Sequence, residues 1–292
     1  TTGAAFDDYD YSYTANPVQH TINTSVPNGT LGVNWYFTGW NDGNASQSRN
    51  IVLANDVNLS ANYKAISASS SISGFGNSSQ RKLVRTNGGE LVMVYESAGS
   101  VWWQRSTDEG ATWYSIFKVA DNAKQPSLAL WGNDVVIAYQ KNNSGSYQIA
   151  SKVYSAYYTG MSNEKIITST INSYFDDAQV VAGINPDGKV IFVWRQTTAS
   201  GNAGLFYSGG IISYSSDYTP QWSGKIGYTS SSSSTPSIGS PLVAENIGGN
   251  IWYHYPLVWT EGTQINLSDI QYRTNSGWQN TGAVGTAISQ GD

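Results

Sequence analysis

Four short apolar runs, each ending in an aromatic residue, constrain this chain more than any other feature. They are LVMVY at 91–95, VVIAY at 135–139, VIFVW at 190–194 and YPLVW at 255–259. Successive starts lie 44, 55 and 65 residues apart, the spacing expected of propeller blades with loops of variable length. A Gly/Asn/Asp turn precedes the first three closely. Three have an upstream strand, in RKLVRT, QPSLAL and DAQVVAG; downstream, VWWQRS with WYSIFKV and DIQYRT with WQNTGAV complete units of four antiparallel strands. Amphipathic helix periodicity is not seen. A β-sandwich also has short strands but would not repeat this order. The expected fold is all-β: a small N-terminal β module, then a β-propeller of four-stranded blades. About four blades are visible, and an open fan of four would leave apolar faces wet. Further blades, or another chain, are therefore expected to cover them.

Composition narrows the setting. Charged residues are 12% of the chain, so solubility rests on Ser, Thr, Asn and Gly; aromatics are 13% and suit half-buried pleated surfaces. The mixture suggests an extracellular or cell-surface protein. Net charge is −5, and no Lys/Arg cluster with interleaved aromatics appears, which argues against nucleic acid. The absence of cysteine excludes a disulfide framework and thiolate metal sites. No apolar run approaches the ~18 residues that span a bilayer. The chain begins at Thr1 without a leader, so either a leader was removed or this is part of a longer protein. Sequons at Asn23, Asn28, Asn44, Asn58, Asn77, Asn142 and Asn266 would accept glycan in a secreted protein, though they barely exceed the number this composition gives at random.

The domain reading is 1–64 for the small module, 65–80 (Ser/Gly-rich) for a linker or loose first strand, and 81–292 for the blades. Within 35–64 an Asn41-Asp42-Gly43-Asn44 turn suits backbone at positive φ. Phe37, Gly39, Trp40, Asp42, Gly43, Arg49, Asp56, Ala61 and Tyr63 carry a pattern that resembles the small β-repeat of prokaryotic surface proteins, divergent from internalin B-type repeats. That resemblance implies a spacer and no chemistry.

One turn stands apart. RSTDEGATW, 105–113, sets Ser106, Asp108, Gly110, Thr112 and Trp113 as Ser-x-Asp-x-Gly-x-Thr-Trp. This resembles the Asp box of sialidases and many other propellers; RTNSGW, 273–278, is a worn version. The residues read as a hairpin fastener: a carboxylate accepting backbone N–H groups, a glycine at positive φ, a hydroxyl closing the turn and a tryptophan beneath it. Such a turn joins the third and fourth strands of a blade, on the face opposite the one where propeller sites usually open.

The site-bearing face is reached by residues just past each second strand, Glu96, Gln140, Arg195 and Glu261, and near each first strand's start, Arg81, Gln125, Asp176 and Asp177. Glu96, Asp177, Arg195 and Glu261 are the candidates for general acid, general base and anion-gripping roles on a glycoside. They also fit polar strand ends meeting water. The sialidase resemblance implies an arginine triad and an Arg-Ile-Pro motif, and here the chain departs from it. Alignment on the Thr-x-x-Gly turn puts Ser79 at the arginine position, with Arg81 two residues off. Arg105 and Arg273 flank fastener turns and Arg49 belongs to the small module, leaving only Arg81 and Arg195.

No cofactor or metal site is expected. His20 and His254 lie in different regions, and Asp7, Asp8 and Asp10 read as a solvated strand end before a calcium site. The expected function is a non-enzymatic surface protein binding glycans or proteins, or assembling on a surface. The alternatives are a sialidase-like glycoside hydrolase or polysaccharide lyase, and a structural subunit of a filament or layer.

Overall fold

The computed structural model describes residues 19–25, 33–52, 57–67, 80–114, 116–157, 160–171, 178–197, 203–229, 236–238, 242–247, 250–261, 264–274, 276–283 and 288–289. Asp7, Asp8, Asp10, Asn28, Asp56, Asn77, Ser79, Asp176 and Asp177 lie outside them. The chain divides into two compact units, 1–68 and 69–292.

In the first unit, β1 (Gln19–Asn23) pairs with β3 (Ser48–Val52), and β2 (Val33–Trp40) with β4 (Ala61–Ser67). The β4 strand therefore runs through the first residues assigned to a linker. Phe37 sets its ring edge-on to Trp40 and Tyr63 at 5.8 Å each, and Trp40 Nε1 donates to Ser46 O at 2.8 Å. Arg49 Nη1 donates to both oxygens of Asp42, at 2.8 and 2.6 Å. The Arg49 hydrogen bond, helped by the Asn44 N–H, holds the Asp42 carboxyl below its ordinary pKa.

The second unit is a row of antiparallel sheets, one for each apolar run. Blade I holds β5 (Leu83–Arg85), β6 (Leu91–Ser97), β7 (Ser100–Ser106) and β8 (Phe117–Asp121). Blade II holds β9 (Ala123–Trp131), β10 (Asp134–Asn143) and β11 (Ser146–Ser155), with the short β12 (Gly160–Met161) and β13 (Lys165–Ile171) both pairing β11. Blade III is β14 (Val181–Ile184), β15 (Lys189–Thr197), β16 (Ala203–Ile211) and β17 (Thr219–Thr229). Blade IV has β18 (Ser237–Ile238) and β19 (Leu242–Ile247) on one side of β20 (Asn250–Glu261), then β21 (Gln264–Arg273), β22 (Gly277–Ala283) and β23 (Ile288–Ser289).

Packing explains why the runs are continuously apolar. Side chains alternate across a strand, so a strand buried on both faces cannot alternate in polarity. On β10, Val135, Ile137 and Tyr139 pack against blade I, while Val136 and Ala138 pack against blade III. On β15, Val190, Phe192 and Trp194 meet blade II, and Ile191 and Val193 meet blade IV. Three apolar seams thus join the blades in sequence order, I to II, II to III and III to IV. This is the layout of propeller blades, all-β and without a helix among the described residues.

Candidate functional site

Each blade has two ends. The second strand of each blade finishes at one of them, here called the upper end; the third-to-fourth-strand turns lie at the other.

At the lower end of blade I the Ser106–Trp113 turn closes on itself. Ser106 Oγ donates to Asp108 Oδ1 at 2.8 Å and accepts from Gly110 N–H at 2.9 Å. Thr112 N–H donates to Asp108 Oδ1 at 2.8 Å, and Thr112 Oγ1 donates to Asp108 Oδ2. Gly110 takes φ +87°, where a side chain would be strained, and lies against Trp113 and Leu91. Next to the turn, buried Glu90 accepts from Arg105 Nη1 at 2.8 Å and from Tyr154 Oη of blade II. Hydrogen bonds from Thr112 side chain, Thr112 backbone and Ser106, in that order, hold the Asp108 carboxyl at about 2. Its folded pKa is below its unfolded one, so its contribution is present above the ordinary carboxylate range and is lost as pH falls through about 2. Thermal melts between pH 5 and 2 should therefore show wild type losing its advantage over Asp108→Asn as pH drops. A difference independent of pH would mean that the charge does not hold the turn. In blade IV the shorter Arg273–Trp278 turn keeps a glycine at φ +75° (Gly277) and buries Trp278.

At the upper end a polar belt crosses three blades. Gln80 is 3% exposed, and its Nε2 donates to Gln125 O at 2.7 Å and Val180 O at 2.8 Å, so one amide touches blades I, II and III. Gln125 Oε1 accepts from Gln179 N–H at 2.9 Å, and Gln140 Oε1 accepts from Ala178 N–H at 2.9 Å. Gln125 and Gln179, at equivalent places before β9 and within the approach to β14, hold φ at +53° and +44°. Such backbone is costly for a side-chain-bearing residue and persists only where neighbours enforce it. Glu96 supplies one restraint, its Oε2 accepting from Gln125 N–H at 3.0 Å. Half-buried Lys82 donates to Pro126 O at 2.5 Å and Gln80 Oε1 at 3.3 Å. Burial lowers the Lys82 pKa to about 8, partly opposed by the charge of Glu96.

Beside this belt, between the upper ends of blades I and II, opens a cleft of about 230 Å³. Glu96 and Gly99 come from the β6–β7 turn, Asn122, Ala123 and Lys124 from the entry to β9, Gln140 and Asn142 from β10, and Tyr147 from β11. The walls thus offer three amides, an amine, a carboxylate and a phenol ring.

Of the four residues expected to do acid–base work, Glu96 lines this cleft. Arg195, on β15, is half-buried and takes its backbone N–H to Ala178 O at 2.8 Å; it is not part of the lining. Glu261 ends β20, and Asp177 falls outside the described residues. Arg81 is exposed, its carbonyl accepting from Leu128 N–H at 2.8 Å. Asn142 is an exposed sequon that also belongs to the cleft; Asn23 and Asn58 are exposed, and Asn44 and Asn266 half-buried. His20 pairs across to Ile51 on β3, while His254 meets Asp269. Among the described residues no three His, Cys, Asp or Glu side chains come together as a metal cage. Gln80, Gln179, Lys82, Lys124 and Tyr147 are not singled out by the sequence reading. A signal is nonetheless present: glutamine recurs three residues before an inner-strand apolar residue, in Gln80–Leu83, Gln125–Leu128 and Gln179–Ala182.

No family model and no curated protein matches the sequence. Among solved structures, an α-L-arabinanase of Penicillium chrysogenum complexed with arabinobiose is 13% identical, aligns over 70% of this chain and 65% of its own, and has a TM-score of 0.41. A polysaccharide lyase described as an ulvan lyase is 9% identical over 70% of this chain and 55% of its own, with a TM-score of 0.42. An endo-arabinase of Bacteroides thetaiotaomicron is 9% identical over 71% and 81%, with a TM-score of 0.38. The chain spans less than two thirds of the first two.

Proposed function

We propose that this is an extracellular carbohydrate-binding propeller whose ligand, a segment of polysaccharide, lies in the cleft between blades I and II. The observation that carries the reading is the lining itself. Sugars present hydroxyls that both donate and accept, together with apolar C–H faces. Asn122, Gln140 and Asn142 match the hydroxyls in both senses, Lys124 and Glu96 add one charge of each sign, and the Tyr147 ring gives a flat wall. Binding without cleavage is favoured because glycoside hydrolysis by the usual route uses two carboxyl groups. The described lining has one, Glu96, already engaged by Gln125 N–H. The N-terminal module serves as a spacer on this reading.

A glycoside hydrolase or polysaccharide lyase is the second reading. It is favoured by the recurrence of Glu96, Arg195 and Glu261 at matching upper strand ends, and by the Lys82 amine, held near the range where a general base works best.

Titration calorimetry against a panel of neutral and uronate-bearing polysaccharides tests both. The expected result is saturable binding that weakens about tenfold in Tyr147→Ala and in Lys124→Ala, the scale of one or two lost polar or ring contacts. Melting curves of both variants control for folding. Release of new reducing ends or unsaturated products would replace binding by the second reading. No binding to any polymer would end both.

A further inference from the structure

Blades I, II and III each turn an all-apolar face to the next blade: Val92, Val94 and Trp103 in blade I, Val136, Ala138 and Val153 in blade II, Ile191, Val193 and Leu205 in blade III. The equivalent face of blade IV is built differently. Along β20, Tyr253, Tyr255, Leu257 and Trp259 are buried against blade III, while Trp252, His254, Pro256 and Val258 alternate with them, half-buried, on the other side. The register sets Arg273, Gln271, Asp269 and Leu267 of β21 directly beside these four.

The polar members form a chain. His254 Nδ1 meets Asp269 Oδ2 at 2.5 Å, and Gln271 Nε2 donates to the same oxygen at 2.6 Å. Arg273 Nε and Nη2 donate to Gln271 Oε1 at 3.2 and 2.8 Å, and the guanidinium lies 3.6 Å from the centre of the Trp252 ring. Covering this face with another all-apolar sheet would desolvate Asp269, His254 and Arg273 without giving the charges new partners, a strongly unfavourable exchange.

A second copy of the same face does give them partners. We propose that two copies of this chain associate through the outer face of blade IV, sheet on sheet, about a two-fold axis crossing β21 at Gln271. A two-fold interface requires a surface complementary to itself. Asp269 and Arg273 flank Gln271 at equal distances along the strand, so the rotation lays the Asp269 of each copy over the Arg273 of the other. On β20 the same rotation centres on His254 and sets Trp252 over Pro256, ring against ring. Every contact then occurs twice. Each His254 keeps its own Asp269. Val258 and Leu267 extend the apolar part of the patch.

Sedimentation velocity and light scattering on the full chain over a wide concentration range test this. The expected mass is twice 31.6 kDa. Asp269→Arg and Arg273→Asp should each raise the dimer dissociation constant at least tenfold, since one substitution is felt at two contacts and puts like charges face to face. An equimolar mixture of the two variants should dimerise again, because each then supplies the sign that the other lacks. Should either fail to fold by circular dichroism and melting, Trp252→Ser, which removes the ring contact without changing charge, is read in the same way. A wild-type chain that stays monomeric, including one whose face is taken by a different protein, overturns the proposal. So does a dimer indifferent to all three substitutions.

Discussion

Gly210→Ala is expected to lower the unfolding free energy by about 3 kcal/mol or more, the upper end of what overpacking does to a core. The reason is the opposing backbone. A Cβ at residue 210 would run into Thr219 O and stand 2.7 and 2.9 Å from ring atoms of Tyr218. Thr219 belongs to β17, and its carbonyl cannot withdraw without opening the β16–β17 ladder, where Gly210 pairs with Pro220 and Ile211 with Thr219. Tyr218 has no more room. It is 8% exposed, its hydroxyl shares a 2.9 Å hydrogen bond with Ser208, and its ring sits edge-on to Phe192 at 5.5 Å. The adjacent Gly209 faces blade IV, where a Cβ would press the Trp278 ring at 3.0 Å. A flexible ring can yield by a few tenths of an ångström, so Gly209→Ala should cost less. Urea melts of both variants give the order directly. A Gly210→Ala protein within about 1 kcal/mol of wild type would show that β17 slides along its neighbour at little cost, and that the observed register is not fixed by packing.

The second large effect is expected at Gln80. Gln80→Ala should destabilise by about 2–4 kcal/mol, because the loss is not of a contact alone but of the donor for two buried carbonyls. Gln125 O and Val180 O lie on blades II and III, 45 and 100 residues away in sequence, and the Gln80 amide serves both. Its Oε1 also accepts from Lys82, whose ammonium is already pressed by burial. The variant should therefore lose cooperativity between blades as well as stability. Hydrogen exchange would show it: amides at the starts of β9 and β14 should lose protection more than those in the middle of β10. Uniform loss across all blades would mean that the belt merely adds stability, with the apolar seams alone joining the blades.

How much of this fold is legible in the amino-acid sequence follows from the range of the interactions involved. The run VVIAY announces a strand buried on both faces, because five consecutive apolar residues leave no side for water; β10 has blades packed against both. The turn 106–113 is legible because it is local. Its hydrogen bonds join residues two to four apart, so the pattern of Ser106, Asp108, Gly110 and Thr112 carries its own geometry. Blade IV shows the limit of such reading. Its run looks like the other three, yet the intervening His254 and Pro256 mark a strand with only one face against a neighbouring blade. The alternation is in the sequence and its meaning is not, since polarity at those positions matters only once the partner sheet is placed.

The candidate site divides in the same way. That Glu96, Gln140, Arg195 and Glu261 end second strands is a local fact, fixed by where each apolar run stops. That Glu96 and Gln140 share a cleft with Lys124 and Tyr147, while Arg195 does not line it, depends on the offset between neighbouring blades. Side-chain packing across the seams sets that offset. Sequence alone determined the strands, their order, the tight turns and the repeat, all of them products of period-two burial and short-range hydrogen bonding. Only the tertiary structure decided which strand ends meet and which amide ties three blades, because contacts across 45 to 100 residues have no period in the chain to betray them.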